Sequence, residues 1–358
     1  MIHKKNIIEL EILRAHLFKI FLNRIIQIFK NEFDIENHIK FKNKIYIEVN
    51  DIIVRWIFIL ISDNDNDISE DAIFKTKISQ SLKIQVYTDI DNFFKNNNPK
   101  NRNLEKISDF IIYIIELSFS EYSSIIKEHI NNNLLKNDNK VTINNNVLTY
   151  YSKNISSNMQ DKGLVIDKNK ISFTFFGADL KYINQKDYDI NLVFANYFRY
   201  LYFGIRNQSL AFRYDGNRNE AVECFSTPYN RYYNHFCSAF PDQEMSLGSL
   251  GNFFDVTQNV ILGKMKFPVN NLKINPIFDE IVTKKMANLI IKLLSTKTKY
   301  TISSILPNWV KYEAKDILLN SKYYKKKEEF DKYHLHFNNY FNGKKICPCN
   351  IIIIYLSN

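Results

Sequence analysis

Apolar residues recur every three to four positions from Lys4 to about Asp138, in runs such as "IIELEILRAHLFKIFLNRIIQIF" and "NLEKISDFIIYIIELSFSEYSSIIKEHI". That period predicts amphipathic helices on a shared core, separated by polar breaks such as "NNNPKNRN". Between about 140 and 175 the period shortens towards two, in "KVTINNNVLTYYS" and "NKISFTFFG", predicting a short hairpin or two at a junction. A long helix is predicted over "DINLVFANYFRYLYFGI". After residue 219 short strands alternate with helical stretches: "EAVECFS" then "PYNRYYNHFCSAF", the strand "NFFDV", "NLKI" then "PIFDEIVTKKMANLIIKLLS", "KYTISSILP", "FDKYHLHF" and "CNIIIIYLSN". This alternation predicts an α/β sheet with helices on its faces, and Ile351 to Ile354, apolar on both faces, its buried central strand. The expected organisation is an α-helical domain over 1–175, with the junction hairpin, followed by an α/β domain over 176–358.

Composition adjusts this picture only modestly. The 358 residues suffice for two such cores, and 45% hydrophobic with 24% charged residues is ordinary globular material. Heavy use of Asn, Ile and Lys reads as AT-rich coding, so lysine counts are discounted. The net charge of +10 still favours a nucleic-acid partner over an acidic protein, with a solvated surface as the plain alternative. The N-terminal apolar run is broken by Glu9, Glu11, Arg14, His16, Lys19 and Arg24, so neither a signal peptide nor a membrane span is expected. Four cysteines, Cys224, Cys237, Cys347 and Cys349, are too few for a disulfide framework and fit a reducing intracellular setting.

Metal chemistry is not expected. "SDNDNDISED" lacks the glycine and the distal glutamate of a calcium loop and reads as a loop with Ser69 capping the next helix. Cys347-Pro-Cys349 has no second ligand pair, His334 and His336 fit a strand face, and Cys237 fits a buried small hydrophobe.

Two strand ends could carry chemistry, because ligands of open α/β sheets bind outside the carboxyl ends of strands. In "EAVECFSTPYNRYY" Glu223 lies near the end of a strand that leads through Ser226, Thr227 and Pro228 into a helix; in "NLKINPIFDE" the strand ends at Asn275-Pro276 and a helix follows at once. Neither is a GxGxxG or P-loop sequence, which excludes dinucleotide and NTPase readings. In Asn-Pro-Ile-Phe the Asn275 amide oxygen and the Pro276 carbonyl can accept the two hydrogens of an exocyclic amine, and the Phe278 ring can stack on a flat base. Taken alone, the tetrapeptide is more often a strand-to-helix turn with its phenylalanine in the core. "KYYKKKEEF" interleaves lysines with Tyr323 and Tyr324, suited equally to a phosphate backbone with a stacked base and to a solvated loop. Arg231 is placed to clamp a phosphate.

The series "VECFSTPYNRYYNHFCSAFPDQEMSLGSLGNFFDV", "INPIF", "ISSILPNW" and "CNIIIIYLSN" resembles, in order and spacing, the core of the phosphorylated CTD-interacting factor family of cap-specific adenosine N6-methyltransferases. The likeness is strong from about 220 to 358, with "CSAFPD" identical, and loose over the helical half. It implies a Rossmann-like fold binding S-adenosylmethionine, methylation of N6 on the adenosine next to an mRNA cap, and a helical domain forming part of the RNA groove. It further implies Asn275, Pro276 and Phe278 as catalytic, and Glu223, Phe225, Ser226, Pro228, Asn230 and Asp242 on the cofactor side. Trp309 matches the aromatic after the next strand, and with Arg231, Tyr323 and Tyr324 it makes up the expected substrate contacts. The chain departs from the pattern at Ile277, where the family has a second proline, at Leu250 for an arginine, at Asn308 for a glutamate, and at Ser226-Thr227 for Ala-Ser. These departures keep open a catalytically inactive homologue that binds RNA or serves a protein partner subunit. With two tryptophans, one of them Trp56 inside "IIVRWIFILIS", no WW module for binding a polymerase tail is expected.

Overall fold

A computed structural model describes residues 7–33, 42–63, 71, 73–97, 103–132, 141–144, 147–151, 159–161, 164–167, 170–174, 188–205, 217–332, 336–339, 343–346 and 349–358. Among the described residues it is a mixed α/β structure of nine α-helices and three sheets. The chain divides into two compact units, residues 1–175 with 189–206, and residues 176–188 with 207–358. Residues 64–70 of the calcium-like loop, His334 and Cys347 lie outside the described residues.

The first unit opens with helices α1 (Ile7–Phe33), α2 (Lys42–Ser62), α3 (Gln80–Asn97) and α4 (Leu104–Asn132). The predicted apolar stripes all face inward: Phe21, Ile25 and Phe29 of α1, Val49 and Ile53 of α2, Val86 and Ile90 of α3, and Ile115 and Phe119 of α4 are buried. Their rings meet edge to face, Phe21 with Phe119 at 5.1 Å and Phe29 with Phe93 at 4.7 Å. Trp56 is buried in this core and donates its indole N–H to Asp89 at 2.9 Å.

Next comes a larger structure than the expected hairpins. Strands β1 (Val141–Asn144), β2 (Val147–Tyr151), β3 (Met159–Asp161), β4 (Leu164–Asp167) and β5 (Lys170–Thr174) form one antiparallel five-stranded sheet in the order β1-β2-β5-β4-β3. Helix α5 (Ile190–Tyr202), which the sequence groups with the second half, packs in the first unit. Residues Leu192 to Leu201 are all buried, because one side of α5 meets the sheet and another meets α1. Phe173 of β5 lies 4.7 Å from Phe194 and 5.3 Å from Tyr197, and Phe18 of α1 lies 5.0 Å from Phe203. At the same junction Arg199 of α5 donates to Glu11 of α1 at 2.9 Å, while Arg14 contacts Glu11 and bonds Asp71 at 3.0 Å, all four side chains buried.

The second unit is built on a six-stranded sheet in the order β10-β13-β9-β8-β6-β7. Its strands are β6 (Val222–Ser226), β7 (His235–Ser238), β8 (Asn271–Ile274), β9 (Thr301–Pro307), β10 (Tyr324–Phe330) and β13 (Ile351–Ser357), with β11 (His336–Asn339) and β12 (Gly343–Ile346) forming a separate pair. β7, β6, β8 and β9 run parallel; β13 lies antiparallel between β9 and β10. Ile351, Ile352 and Ile354 are wholly buried, the environment their uninterrupted apolar run requires. The helices of this unit are α6 (Pro241–Glu244), α7 (Phe253–Ile261), α8 (Glu280–Leu294) and α9 (Glu313–Leu319).

Three local expectations are corrected. "PYNRYYNHFCSAF" is not a helix but a turn at 228–230 followed by β7. Its turn is stabilised by Asn230, whose Oδ1 accepts from the Thr227 N–H at 2.7 Å and the Ser226 hydroxyl at 2.9 Å, an alternative to helical bonding. "NFFDV" opens α7 rather than forming a strand, since Asn252 caps it by accepting from the Phe254 N–H at 2.9 Å. The helix after Asn275-Pro276 starts only at Glu280, where Asp279 caps it through the Val282 N–H at 3.0 Å.

Candidate functional site

Strand order reverses between β6 and β8: the chain steps from β6 outward to β7, then returns to β8 on the other side. In open α/β sheets the crevice at such a reversal, at the carboxyl ends of the strands, is where ligands sit. Ser226 ends β6, Ile274 ends β8 and Pro307 ends β9, so the loops starting at Thr227, Asn275 and Asn308 share this edge. Asp242, exposed, lies just beyond the end of β7 on the same edge.

Among the described residues of this unit, Glu223 is the carboxyl whose pKa is raised furthest. It is 1% exposed, its Oε2 accepts from the Tyr232 N–H at 2.8 Å, and its Oε1 is buried with no hydrogen-bond partner. Burial pushes its pKa up to about 7, only partly offset by the Tyr232 and Tyr233 amides. In register beside it on β8 stands Lys273, which continues the polar row by donating to Ser303 of β9 at 3.0 Å. Desolvation lowers the Lys273 pKa. The sequence reading missed Lys273, although a lone cation inside "NLKI" was its signal.

A raised carboxyl pKa means that the folded state holds a proton the unfolded chain has released. The stabilisation is therefore complete below the ordinary value of 4.5 and lost as pH rises through about 7. We expect the melting temperature of the wild type to carry this downward slope, worth up to about 3 kcal/mol, and Glu223→Gln to remove it. Identical slopes in thermal melts between pH 4.5 and 7.5 would refute the assignment.

The Asn275–Asp279 loop is compact. Asn275 is half-buried, Pro276 buried and Ile277 39% exposed, and the Ile277 carbonyl accepts from the Asp279 N–H at 2.8 Å. The half-buried Phe278 packs on the Ile305, Ile351 and Ile353 cluster, on the sheet face that also carries Phe330 and Tyr355. Trp309 is 44% exposed on the neighbouring loop, edge-on to Tyr312 at 5.3 Å, with its carbonyl and the Asn308 side chain both held by the Lys315 ammonium.

The remaining expected contacts divide between this edge and other parts of the unit. Phe225 packs against Phe253 and Phe254 of α7 at 4.9 and 5.8 Å. Ser226, Thr227 and Asn230 are bound to one another around Pro228. Arg231 is 3% exposed, donates to the Tyr233 carbonyl at 3.3 Å and covers the Phe236 ring at 5.0 Å, so it braces the β6–β7 connection instead of presenting a phosphate clamp. Tyr323 and Tyr324 lie at the opposite edge: Tyr324 pairs with Leu356 and the Tyr323 carbonyl accepts from the Ser357 N–H, at the far end of β13 from Ile351. Seven-residue β13 separates them from Pro307 by about 20 Å. Leu250, in place of the expected arginine, lies along β7 and donates its N–H to the Phe236 carbonyl at 2.8 Å. Among the described residues no three His, Cys, Asp or Glu side chains cluster to hold a metal, and no helix is long and apolar enough to cross a membrane.

With this geometry in hand, residues 217–341 match the family model described as the phosphorylated CTD interacting factor 1 WW domain. The match assigns that segment to the phosphorylated CTD-interacting factor family. No curated protein matches the chain. The family match corrects one expectation, that no WW module would be recognised. That expectation rested on counting tryptophans, whereas the matched segment runs from before β6 into the β11–β12 region and includes Trp309, so its recognition rests on many more positions. The family points to a function in mRNA modification connected with the cap.

Proposed function

We propose that the second unit is an S-adenosylmethionine-dependent methyltransferase acting on N6 of the adenosine next to an mRNA cap. The observation that carries this reading is the register at the strand-order reversal, which sets the buried Glu223 of β6 level with Lys273 of β8, two residues before the Asn275–Phe278 loop begins. The donor set suits the cofactor: a loop without phosphate-gripping glycines fits a ligand without phosphates, and the orphaned Glu223 Oε1 supplies an acceptor for its amino or hydroxyl groups. Glu223 and the exposed Asp242 are the residues that would hold it. When bound, this cofactor supplies an electrophilic methyl group.

The chain's own contribution is positioning. The Asn275 amide oxygen and the Pro276 carbonyl accept the two amine hydrogens, which aims the nitrogen lone pair without a strong base. Ile277 leaves both acceptors intact, and its carbonyl serves the turn to Asp279. Trp309, exposed on the adjacent loop, offers a face for a base.

One observation favours the second reading, an inactive homologue. Phe278 is seated on the Ile305–Ile351–Ile353 cluster, so stacking an adenine on it requires base entry along that same sheet face. The deciding assay is methyl transfer from labelled S-adenosylmethionine to a short capped RNA beginning with adenosine and to its uncapped twin. Cap-dependent transfer to N6 is the expected result; RNA binding without transfer would establish the inactive homologue.

A further inference from the structure

Four stretches of the second unit contain no Asp or Glu at all: 256–278, 281–312, 317–327 and 349–358. The fold gathers their turns at the edge opposite the candidate site. There the Thr301 N–H donates to the Asn270 carbonyl at 3.0 Å, the Tyr300 N–H to the Asn358 side chain at 2.8 Å, the Asn358 amide to the Thr298 carbonyl at 2.9 Å, and the Ser357 N–H to the Tyr323 carbonyl at 3.0 Å. Five exposed lysines stand on these stitched turns, Lys264, Lys266, Lys297, Lys299 and Lys322, and a sixth, Lys325, follows as the second residue of β10. By contrast, Lys326 and Lys327, further along β10, are paired with Glu328 and Glu329 at 2.9 and 2.8 Å.

Helix dipoles do not account for the six. The carboxyl ends of α7, α8 and α9 do point to this edge, at Leu262, Ser295 and Asn320, and favour cations within their last turns. Lys292 sits in such a turn, but the six lysines lie beyond the helices, where that effect has faded and mutual repulsion remains. A coding bias towards lysine does not explain the loss of acids from the same turns, given 38 Asp and Glu in the chain. Aromatic rings are interleaved with the charges: the Lys322 ammonium lies 5.1 Å from the half-buried Tyr323 ring, and Tyr324 follows.

We propose that this edge is a second nucleic-acid surface, which holds the phosphate backbone of single-stranded RNA away from the reacting nucleotide. A lysine array with intervening aromatics is the composition of sequence-tolerant single-strand binding, with bases stacking between phosphate contacts. The choice of RNA among polyanions rests on the proposed function; the charge array itself does not. The surface grips the RNA body irrespective of sequence and cap, leaving selection of the methylated nucleotide to the opposite edge.

The test is fluorescence anisotropy with labelled uncapped RNA of about 20 nucleotides over a salt series. It compares the wild type, the six-fold Lys→Gln variant, and a control with six Lys→Gln changes on the helices of the first unit. We expect the variant to lose at least tenfold in affinity and its log–log salt slope to flatten by about four, near 0.7 per lost phosphate contact on a single strand. If the six-fold variant folds poorly, the pairs Lys264→Gln/Lys266→Gln, Lys297→Gln/Lys299→Gln and Lys322→Gln/Lys325→Gln should each give part of the loss. Wild-type affinity in the variant, or equal loss in the control, overturns the proposal. So does lysine-dependent binding to phosphatidylserine vesicles with no change for RNA. Because uncapped RNA binding needs no methyl transfer, failure here is distinct from failure of the proposed reaction.

Discussion

Asn275→Ala should lower methyl transfer to capped adenosine RNA by about 10²–10³-fold, the loss typical when one preorganised polar group is removed from a developing charge. The melting temperature should barely move, because Asn275 is only half-buried at a strand end and no helix cap depends on it; Asp279 caps α8. Asn275→Asp retains an acceptor oxygen and should keep more activity than the alanine variant, while RNA affinity stays level across all three proteins. Equal rates for wild type and alanine variant would remove Asn275 from the reaction. A loss confined to KM would recast it as a binding group whose contact is the same in ground and transition states.

A second large effect is expected in the first unit. Glu11 lies between Arg199 and Arg14, and Arg14 also holds Asp71, all buried. Burial works to raise the pKa values of Glu11 and Asp71, but the guanidinium groups outweigh it and both end below their ordinary values. Glu11→Ala strands buried guanidinium charge without its carboxylate and should cost about 3–5 kcal/mol, enough to unfold a marginal unit. Denaturant unfolding followed by Trp56 fluorescence would read this loss. Replacing both members, as Glu11→Ala with Arg199→Met, should recover part of it, since an apolar pair leaves less charge stranded. The lowered pKa values set the pH window: this stabilisation is present above the ordinary carboxylate range and lost as pH falls through the lower folded values. Acid should thus weaken the first unit, whereas rising pH weakens the second through Glu223.

Much of this was legible in the chain. Helices α1 to α4 follow from their 3.6-residue apolar period, and β13 from four successive isoleucines. Asn275 is legible as a polar residue just past a strand, whereas Glu223, expected near the end of its strand, is the second residue of β6. The failures have specific physical causes. The segment of β7 reads as a helix because nothing local shows that Asn230 ties the preceding turn through three donors. The start of α7 reads as a strand because "NFFDV" is too short for its period to speak, and only the Asn252 cap distinguishes it. The distance of Tyr323 and Tyr324 from the candidate site is not visible in the sequence, because β13, last in sequence, inserts between β9 and β10 and fixes where β10 begins. Arg231 reads as a phosphate clamp because sequence spacing does not reveal the Phe236 ring beneath it.

The packing of α5 in the first unit has a consequence for synthesis and dissection. During translation α1 to α4 emerge long before residues 189–206, so the partner of Glu11 and the apolar cover of Phe173 arrive only after the intervening stretch has been made. Until then the first unit carries a half-neutralised charge cluster and an uncovered aromatic sheet face, an intermediate that invites chaperones or aggregation. A fragment ending at residue 175 would be trapped in that state permanently, whereas one ending after residue 206 contains every element of the unit.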